Sequence, residues 1–113
     1  SQAPEFDFQN LYNNEDIKVL STRDKKMIIL DDRNGSVSIR YSNGTYIVLK
    51  GDGIQINSSG YLHLRANGNI SLTADGSMSI KADEQMMLGC KESSFVLTPD
   101  GIAIHGTDIK INE

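Results

Sequence analysis

The chain has 113 residues, only 38% of them apolar, so it can form one modest domain but supplies a single copy with little material for a conventional core. Its formal charge is −4, and its one cationic cluster is Arg23, Lys25 and Lys26, which excludes the concentrated positive face of a nucleic-acid-binding protein. No apolar run approaches the ~20 residues of a transmembrane helix, and no basic-then-apolar start predicts a signal peptide.

The first 25 residues carry no sustained pattern apart from a candidate strand at 17–22. We interpret 1–25 as a short, irregular leader or linker, in which residues 1–6 are a candidate non-native addition. From Lys26 onward, apolar and polar residues alternate in short bursts, which is the periodicity of strands. Because glycine or a turn pair interrupts every window before two helical turns could form, the sequence predicts an all-β fold of about ten short strands.

These bursts recur every eight residues in the middle of the chain. Each repeat opens with two apolar residues: Ile54 and Ile56, Leu62 and Leu64, Ile70 and Leu72, Met78 and Ile80, Met86 and Leu88. Small residues follow at one phase: Ser58, Ala66, Ala74, Ala82 and Cys90. Turn pairs occur at another fixed position of the repeat: Ser59-Gly60, Asn67-Gly68, Asp75-Gly76 and, less typically, Asp83-Glu84. Glycine after Asn or Asp predicts a residue with positive φ.

Outside this block the apolar pairs continue with slips of a residue. They are Val37 and Ile39, Ile47 and Leu49, Phe95 and Leu97, Ile102 and Ile104, and Ile109 and Ile111. A repeat with two large apolar side chains cannot cover its own apolar face and must stack on neighbours. An antiparallel meander is a competing arrangement, but its hairpins should have longer strands joined by matched turns.

Equivalent repeats indicate equivalent surroundings, and a single-chain β-helix would instead show a superimposed period of about three repeats. Three copies wound about one axis supply that equivalence. We therefore predict an intertwined, triple-stranded β-helical prism over 26–113, formed by a homotrimer with eight-residue repeats. Its axial core would contain Ile54, Ile56, Leu62, Leu64, Ile70, Leu72, Met78, Ile80, Met86, Leu88, Ile102 and Ile104.

The C-terminal part of the sequence carries a family pattern. Ser93 and Ser94 are followed by an apolar-Leu-Thr-Pro run at 96–99, by Gly-Ile-x-Ile-x-Gly at 101–106 and by Ile-Lys-Ile-Asn at 109–112. This sequence pattern resembles the C-terminal end of VgrG-type spike proteins. The stretch 28–32, Ile-Ile-Leu-Asp-Asp, followed by Gly35, is similar to the entry to the spike domain in that family and in phage baseplate hubs.

The resemblance covers 26–113 and implies a needle below a baseplate hub in a type VI secretion system, a phage-like particle or a contractile phage tail. It implies that a contractile machine or a virion tail carries the chain, with upstream hub domains and the tube as neighbours. It also implies a PAAR-type tip protein at the blunt end, docked on Ile109, Lys110, Ile111, Asn112 and Glu113. The expected function is a cell-puncturing shaft that transmits force. Since the acidic chain offers no attraction to anionic lipids, membrane contact is expected to be mechanical only.

Two alternative functions stay open. One is a carrier platform that acts mainly by binding a tip or effector protein. The other is a glycan-binding, tail-fibre-like β-solenoid, which exposed aromatic side chains and an acidic pair along a groove would indicate.

We predict no catalytic residue, metal ligand or cofactor, and hence no enzyme. Alternation places His63 and His105 on the outside, so we interpret them as surface histidines. Cys90 has no histidine in register, and alanine occupies its position in three other repeats, so we interpret it as a small core residue. The nucleophile-elbow, zinc-protease and phosphate-loop motifs are absent from the sequence.

Overall fold

The computed structural model describes residues 13–112, which contain eight β-strands and no helix. The strands are β1 (Ile17–Ser21), β2 (Met27–Asp31), β3 (Ser36–Arg40), β4 (Tyr46–Lys50), β5 (Gly53–Asn57), β6 (Met86–Cys90), β7 (Ser93–Thr98) and β8 (Gly101–His105). The all-β prediction is confirmed, although the predicted number of strands was too high. Among these residues there is accordingly no helix long and apolar enough to cross a membrane. Residues 1–6 and Glu113 lie outside the described part.

The chain divides into two compact units between Gly68 and Asn69. In the first unit, β1 to β5 form an antiparallel meander in chain order, with Ile39 opposite both Ile28 and Ile47. The sequence analysis disfavoured a meander because the strands are short, and for this part of the chain that was wrong. Five-residue strands suffice here because each inner strand is hydrogen-bonded on both edges and tight turns fix the register.

The first strand lies within 1–25, the stretch interpreted as a leader. The candidate strand at 17–22 is confirmed as β1, which pairs along its whole length with β2, from Ile17 opposite Asp31 to Ser21 opposite Met27. The side-chain oxygen of Asn14 accepts hydrogen bonds from the backbone N–H groups of Asp16 and Ile17 and so caps the strand start. The paired sheet therefore begins at Ile17 and not at Lys26.

In the second unit, β6, β7 and β8 form a three-stranded antiparallel meander in which Phe95 lies opposite both Leu88 and Ile104. Leu97 in the same way lies opposite Met86 and Ile102. The predicted apolar pairs therefore share one face of this sheet. Their one-residue slips in sequence arise because antiparallel partners run in opposite directions, so pairs on one face need not be eight residues apart.

Residues 58–85 contain no helix or strand and belong to no ladder within the described chain. They bend at 59–60, 67–68, 75–76 and 83–84, which confirms the predicted change of direction every eight residues, including the one at Asp83-Glu84. The same spacing continues through hairpin turns at 91–92 and 99–100 to a bend at 107–108. The same eight-residue spacing therefore sets the length of both the paired strands and the unpaired segments.

The prediction of positive φ at the turn glycines holds at some hairpins and fails at the bends. Gly35 and Gly44 have φ of 64° and 94°, whereas Gly60, Gly68 and Gly76 do not have positive φ, so the prediction is wrong at these three bends. It is also wrong at Gly101 in the β7–β8 connection, so a reversal of the chain does not require a left-handed residue at every hairpin.

Replacing Gly35 with Ala should lower the free energy of unfolding by about 1 kcal/mol per chain, because an L side chain is strained at its φ although no atom lies near the new Cβ. Gly51→Ala is the matched control, since Gly51 lies in another hairpin of the same sheet, has open space and lacks positive φ. Denaturant unfolding of the two variants measures the difference. Equal loss in both would contradict the assignment of backbone strain to Gly35.

Candidate intermolecular interface

One face of the first sheet is almost wholly apolar. Two rows cross its five strands: Leu20, Ile28, Ile39, Ile47 and Ile56 in one, and Lys18, Leu30, Val37, Leu49 and Ile54 in the other. The rows form because alternate residues of each strand point to one side and the register aligns them. We call the nine apolar members the apolar face. Lys18, on the edge strand β1, is its one charged neighbour within these rows.

All nine side chains of the apolar face are exposed, from 37% at Ile47 to 70% at Ile54. The opposite face holds the buried residues, with Val19 and Val48 each 7% exposed and Ser38 3% exposed. A soluble monomer rarely leaves a contiguous apolar patch of this kind open to water. The chain therefore covers the mixed face of the sheet itself and leaves the apolar face for another surface to cover.

Long polar side chains flank the buried row on the mixed face. Arg40 lies over the ring of Tyr46, 5.1 Å from its centroid, and the side-chain amide of Gln55 donates to the Tyr46 hydroxyl at 3.3 Å. In the strand register Gln55 lies opposite Val48, and Arg40 lies opposite Tyr46. The buried residues are thus on the mixed face, and the apolar face is the one left exposed.

A hollow of about 360 Å³ opens beside the first row of the apolar face. Leu20, Ile28, Ile39 and Ile47 line its inner side, and Tyr41 lies at the turn side, with the ammonium of Lys26 5.2 Å from the ring centroid. The hollow is shallow and apolar, a shape that fits an inserted side chain better than a small polar substrate.

The second feature that lacks a partner is the segment 58–85. Leu62, Leu64, Ile70, Leu72, Met78 and Ile80 are between 52% and 71% exposed. Local side-chain hydrogen bonds occur at its bends, for example from the Ser58 hydroxyl to the Tyr61 carbonyl at 2.7 Å. The described backbone nevertheless makes no ladder with the rest of its chain. Unpaired strand backbone that is rich in apolar side chains needs partners, and the fold offers none within 13–112.

In the second sheet, the predicted core residues share one face. Met86, Leu88, Ile102 and Ile104 lie there with Phe95 and Leu97 between them. Phe95 and Leu97 are half-buried, while Leu88 and Ile102 are more than 60% exposed. Of the predicted axial core, the chain therefore gathers Ile54 and Ile56 in one sheet and these four in the other, and leaves the six residues of 62–80 apart.

Cys90 and His105 lie on strands of the second sheet, whereas His63 lies in the segment without a ladder. Cys90 is on the same face as Leu88 and is exposed in the single chain, so its role as a small core residue stays a prediction. His105 lies opposite Ser94, on the other face from Ile104. His63 is exposed in the unpaired segment. No cluster of three metal-ligating side chains occurs among the described residues.

The predicted tip-docking residues follow the bend at 107–108. Ile109 turns back toward the second sheet and lines a hollow of about 410 Å³ beside Gly106, whereas Ile111 is 78% exposed. Lys110 extends toward Asp108, with 4.0 Å between its ammonium and the carboxylate. Asn112 has a φ of 60°, and Glu113 lies outside the described residues. Ile111 is thus the docking candidate most available to a partner.

The connections between the strands of the first sheet lie on two opposite sides of it, at the two ends of the strands. The sequence analysis missed that these two sides differ in charge. At one of these sides Asp31 accepts hydrogen bonds from the backbone and side chain of Asn34 and from the backbone of Arg33. These bonds, with that from the Asn34 backbone the strongest, hold the pKa of Asp31 below its usual value. The charged residues are present in the turn sequences, but the difference between the sides becomes visible only when the strand register shows which turns lie on the same side.

Comparison with known proteins does not identify the chain: neither a protein-family model nor a curated protein matches it. The interpretation therefore depends on geometry. The apolar face, the unpaired segment and the apolar side of the second sheet are three incomplete surfaces of similar chemistry, and all three call for the same kind of partner.

We expect the backbone amides of 62–80 to exchange with solvent as slowly as those of β2 to β4, because partners outside the chain complete their hydrogen bonding. Hydrogen exchange of the native protein, followed by mass spectrometry, measures both segments in one sample. The internal reference is β3, which is paired on both edges within its own chain. Exchange of 62–80 at the rate of unstructured peptide would contradict the expectation.

Proposed function

We propose that the chain is the shaft of a homotrimeric spike, an intertwined β-helical prism that transmits axial force in a contractile injection apparatus. The observation that carries the proposal is the exposed apolar face together with the unpaired segment 58–85. The resemblance of 90–112 and 28–35 to VgrG-type spikes supports the same assembly and gives its biological setting.

The energetic balance favours covering these surfaces by association. Full burial of a Val, Leu or Ile side chain contributes roughly 1.5–3 kcal/mol, so nine half-exposed ones supply about half of that each. Association costs about 4–15 kcal/mol. The apolar face alone therefore roughly matches the cost, and the segment 58–85 and the second sheet make the balance favourable.

The length of the repeat selects three copies. A five-residue strand spans about 17 Å, and the axis of a triangle with that side lies about 5 Å from each side. This is half the ~10 Å at which apolar sheet faces pack. Four copies would place the axis about 8 Å away and leave a void, which protein interiors avoid. Two copies facing each other would cover the sheets but leave the backbone of 58–85 without neighbours at its edges.

Such a prism would act through stiffness. Interchain backbone hydrogen bonds and a continuous apolar axis would resist bending, because a local opening must separate three chains together. The chain would lie below its hub domains and would carry a PAAR-type tip protein at the end formed by 109–113. In this arrangement the shaft and platform functions coexist, and the high exposure of Ile111 favours a docking contribution from that residue.

Replacing Ile70 with Asp should abolish the assembly at neutral pH, because three carboxylates would be buried in one axial layer without partners. Ser71→Asp, one residue along and on the opposite side of the chain by alternation, should leave it intact. Thermal unfolding and sedimentation of both variants measure the difference. Lowering the pH below about 4 should partly rescue Ile70→Asp by protonating the carboxylates. An Ile70→Asp assembly as heat-stable as the Ser71→Asp control would contradict the axial position.

Replacing Ile111 with Asp should weaken binding of a purified PAAR-repeat protein at least tenfold while leaving the trimer intact, because an exposed apolar contact becomes charged and hydrated. This substitution is preferable to deletion of 109–113, since Ile109 also lines the hollow beside Gly106, directly after β8. Ser71→Asp serves again as the control. Unchanged PAAR binding by Ile111→Asp would argue against a docking platform at this end.

A further inference from the structure

The connections of the first sheet place opposite charges on its two sides. The β1–β2 connection (22–26) and the β3–β4 connection (41–45) lie on one side, and the start of β1 with the connections 32–35 and 51–52 lies on the other. The first side carries Arg23, Lys25, Lys26 and Arg40 against Asp24, and we call it the basic side. The second carries Glu15, Asp16, Asp31, Asp32 and Asp52 against Arg33 and Lys50, and we call it the acidic side.

Local contacts hold charged side chains on both sides in place. On the basic side, Lys26 lies 3.6 Å from Asp24 and over the ring of Tyr41. On the acidic side, Arg33 approaches Asp16 at 3.5 Å with both side chains more than half exposed. Counted over residues 13–57 alone, each side has an excess of one sign, and exposed charges of this kind act mainly on association and orientation.

We propose that the basic side of one copy packs against the acidic side of the next, so that three copies close head to tail into a ring. This inference rests on the proposed homotrimer and specifies which surfaces meet. Where each side of the sheet met the same side of another copy, like charges would be opposed. In a cyclic arrangement every contact joins two different patches, and the charge difference then favours every contact equally.

The apolar hollow lies on the side that this pairing requires. It is bounded by Lys26, Tyr41 and Thr45 of the basic side and opens onto the apolar face. A neighbour approaching with its acidic side would bring carboxylates toward Lys26 and Arg40 while its own apolar rows continue the core. The charged pairs would remain near the rim, where they guide register and contribute little net stability.

The second sheet shows that this polarity is specific to the first. One of its sides carries Lys91 and Lys110 with Glu92 and Asp108, and the other carries Asp83, Glu84 and Asp100. The first of these sides is therefore neutral and the other net anionic, so neither has the excess of positive charge that the basic side of the first sheet carries. Charge-guided docking is thus confined to the N-terminal sheet, and assembly should begin there.

The test uses four versions of the full chain. They are the wild type, the acidic-side variant Asp32→Lys/Asp52→Lys, the basic-side variant Arg23→Glu/Lys25→Glu, and a swap variant that carries all four substitutions. All four positions are exposed. The swap variant keeps the formal charge of −4, so it separates the pairing of sides from the total charge. The readout is the rate at which the three-copy species forms after dilution from denaturant, measured at low and high salt.

We expect each one-side variant to assemble about tenfold or more slowly than the wild type at low salt, because like-charged sides would meet. The swap variant should recover the wild-type rate, and high salt should reduce the differences. Tagged wild type refolded together with the swap variant should sort into separate trimers, since their sides repel. Tagged and untagged wild type should mix freely.

The outcomes distinguish the two proposals. A wild type that never forms a three-copy species would overturn the proposed function itself. If the wild type does assemble, each of three results would overturn only the head-to-tail pairing. They are one-side variants that assemble as fast as the wild type, a swap variant that stays slow, and free mixing of the wild type with the swap variant.

Discussion

The backbone of 58–85 bends every eight residues and has no ladder partner within the described chain. A strand-like backbone with apolar side chains is stable only when its N–H and C=O groups and its apolar surface are covered. The apolar face of the first sheet, on the N-terminal side of this segment, also needs to be covered. The same is true of the second sheet on its C-terminal side. Our account of the protein follows from this incomplete covering.

The two sheets and the segment between them differ in what they need for folding. Each sheet pairs strands that are adjacent in sequence, so its contacts are local and can form early within one chain. In the proposed trimer, the segment 58–85 gains its partners only when copies meet. We therefore expect the sheets to present their apolar faces and charged sides first, with winding of the middle segment completing the prism. The common eight-residue spacing keeps the side length constant through both kinds of structure.

Much of the fold could be predicted from the sequence because its pattern is local. The alternation in Ile54 and Ile56 or Ile102 and Ile104 gives the strand and its apolar face directly, and the turn pairs give the bends. The meander was mispredicted because the sequence alone cannot distinguish a hairpin at Asn34-Gly35 from a bend at Asn67-Gly68. The same ambiguity caused the error in φ at Gly68, which lies at a bend and does not have positive φ.

The candidate interface was less predictable than the strands. The apolar pairs identified which side chains seek cover, but the charge difference between the sides depends on which connections the register brings together, as with Asp16 beside Arg33. The docking function of Ile111 depends on the resemblance to a family, because an exposed isoleucine near a bend has no chemistry of its own that specifies a partner.

The most direct test of the central claim is the mass of the unmodified protein in dilute buffer, by native mass spectrometry or sedimentation equilibrium at micromolar concentration. The account predicts a species of three times the chain mass of 12.4 kDa, with no folded single copy beside it. A stable, folded species of one chain mass would show that the chain covers its own apolar face, and would contradict the account.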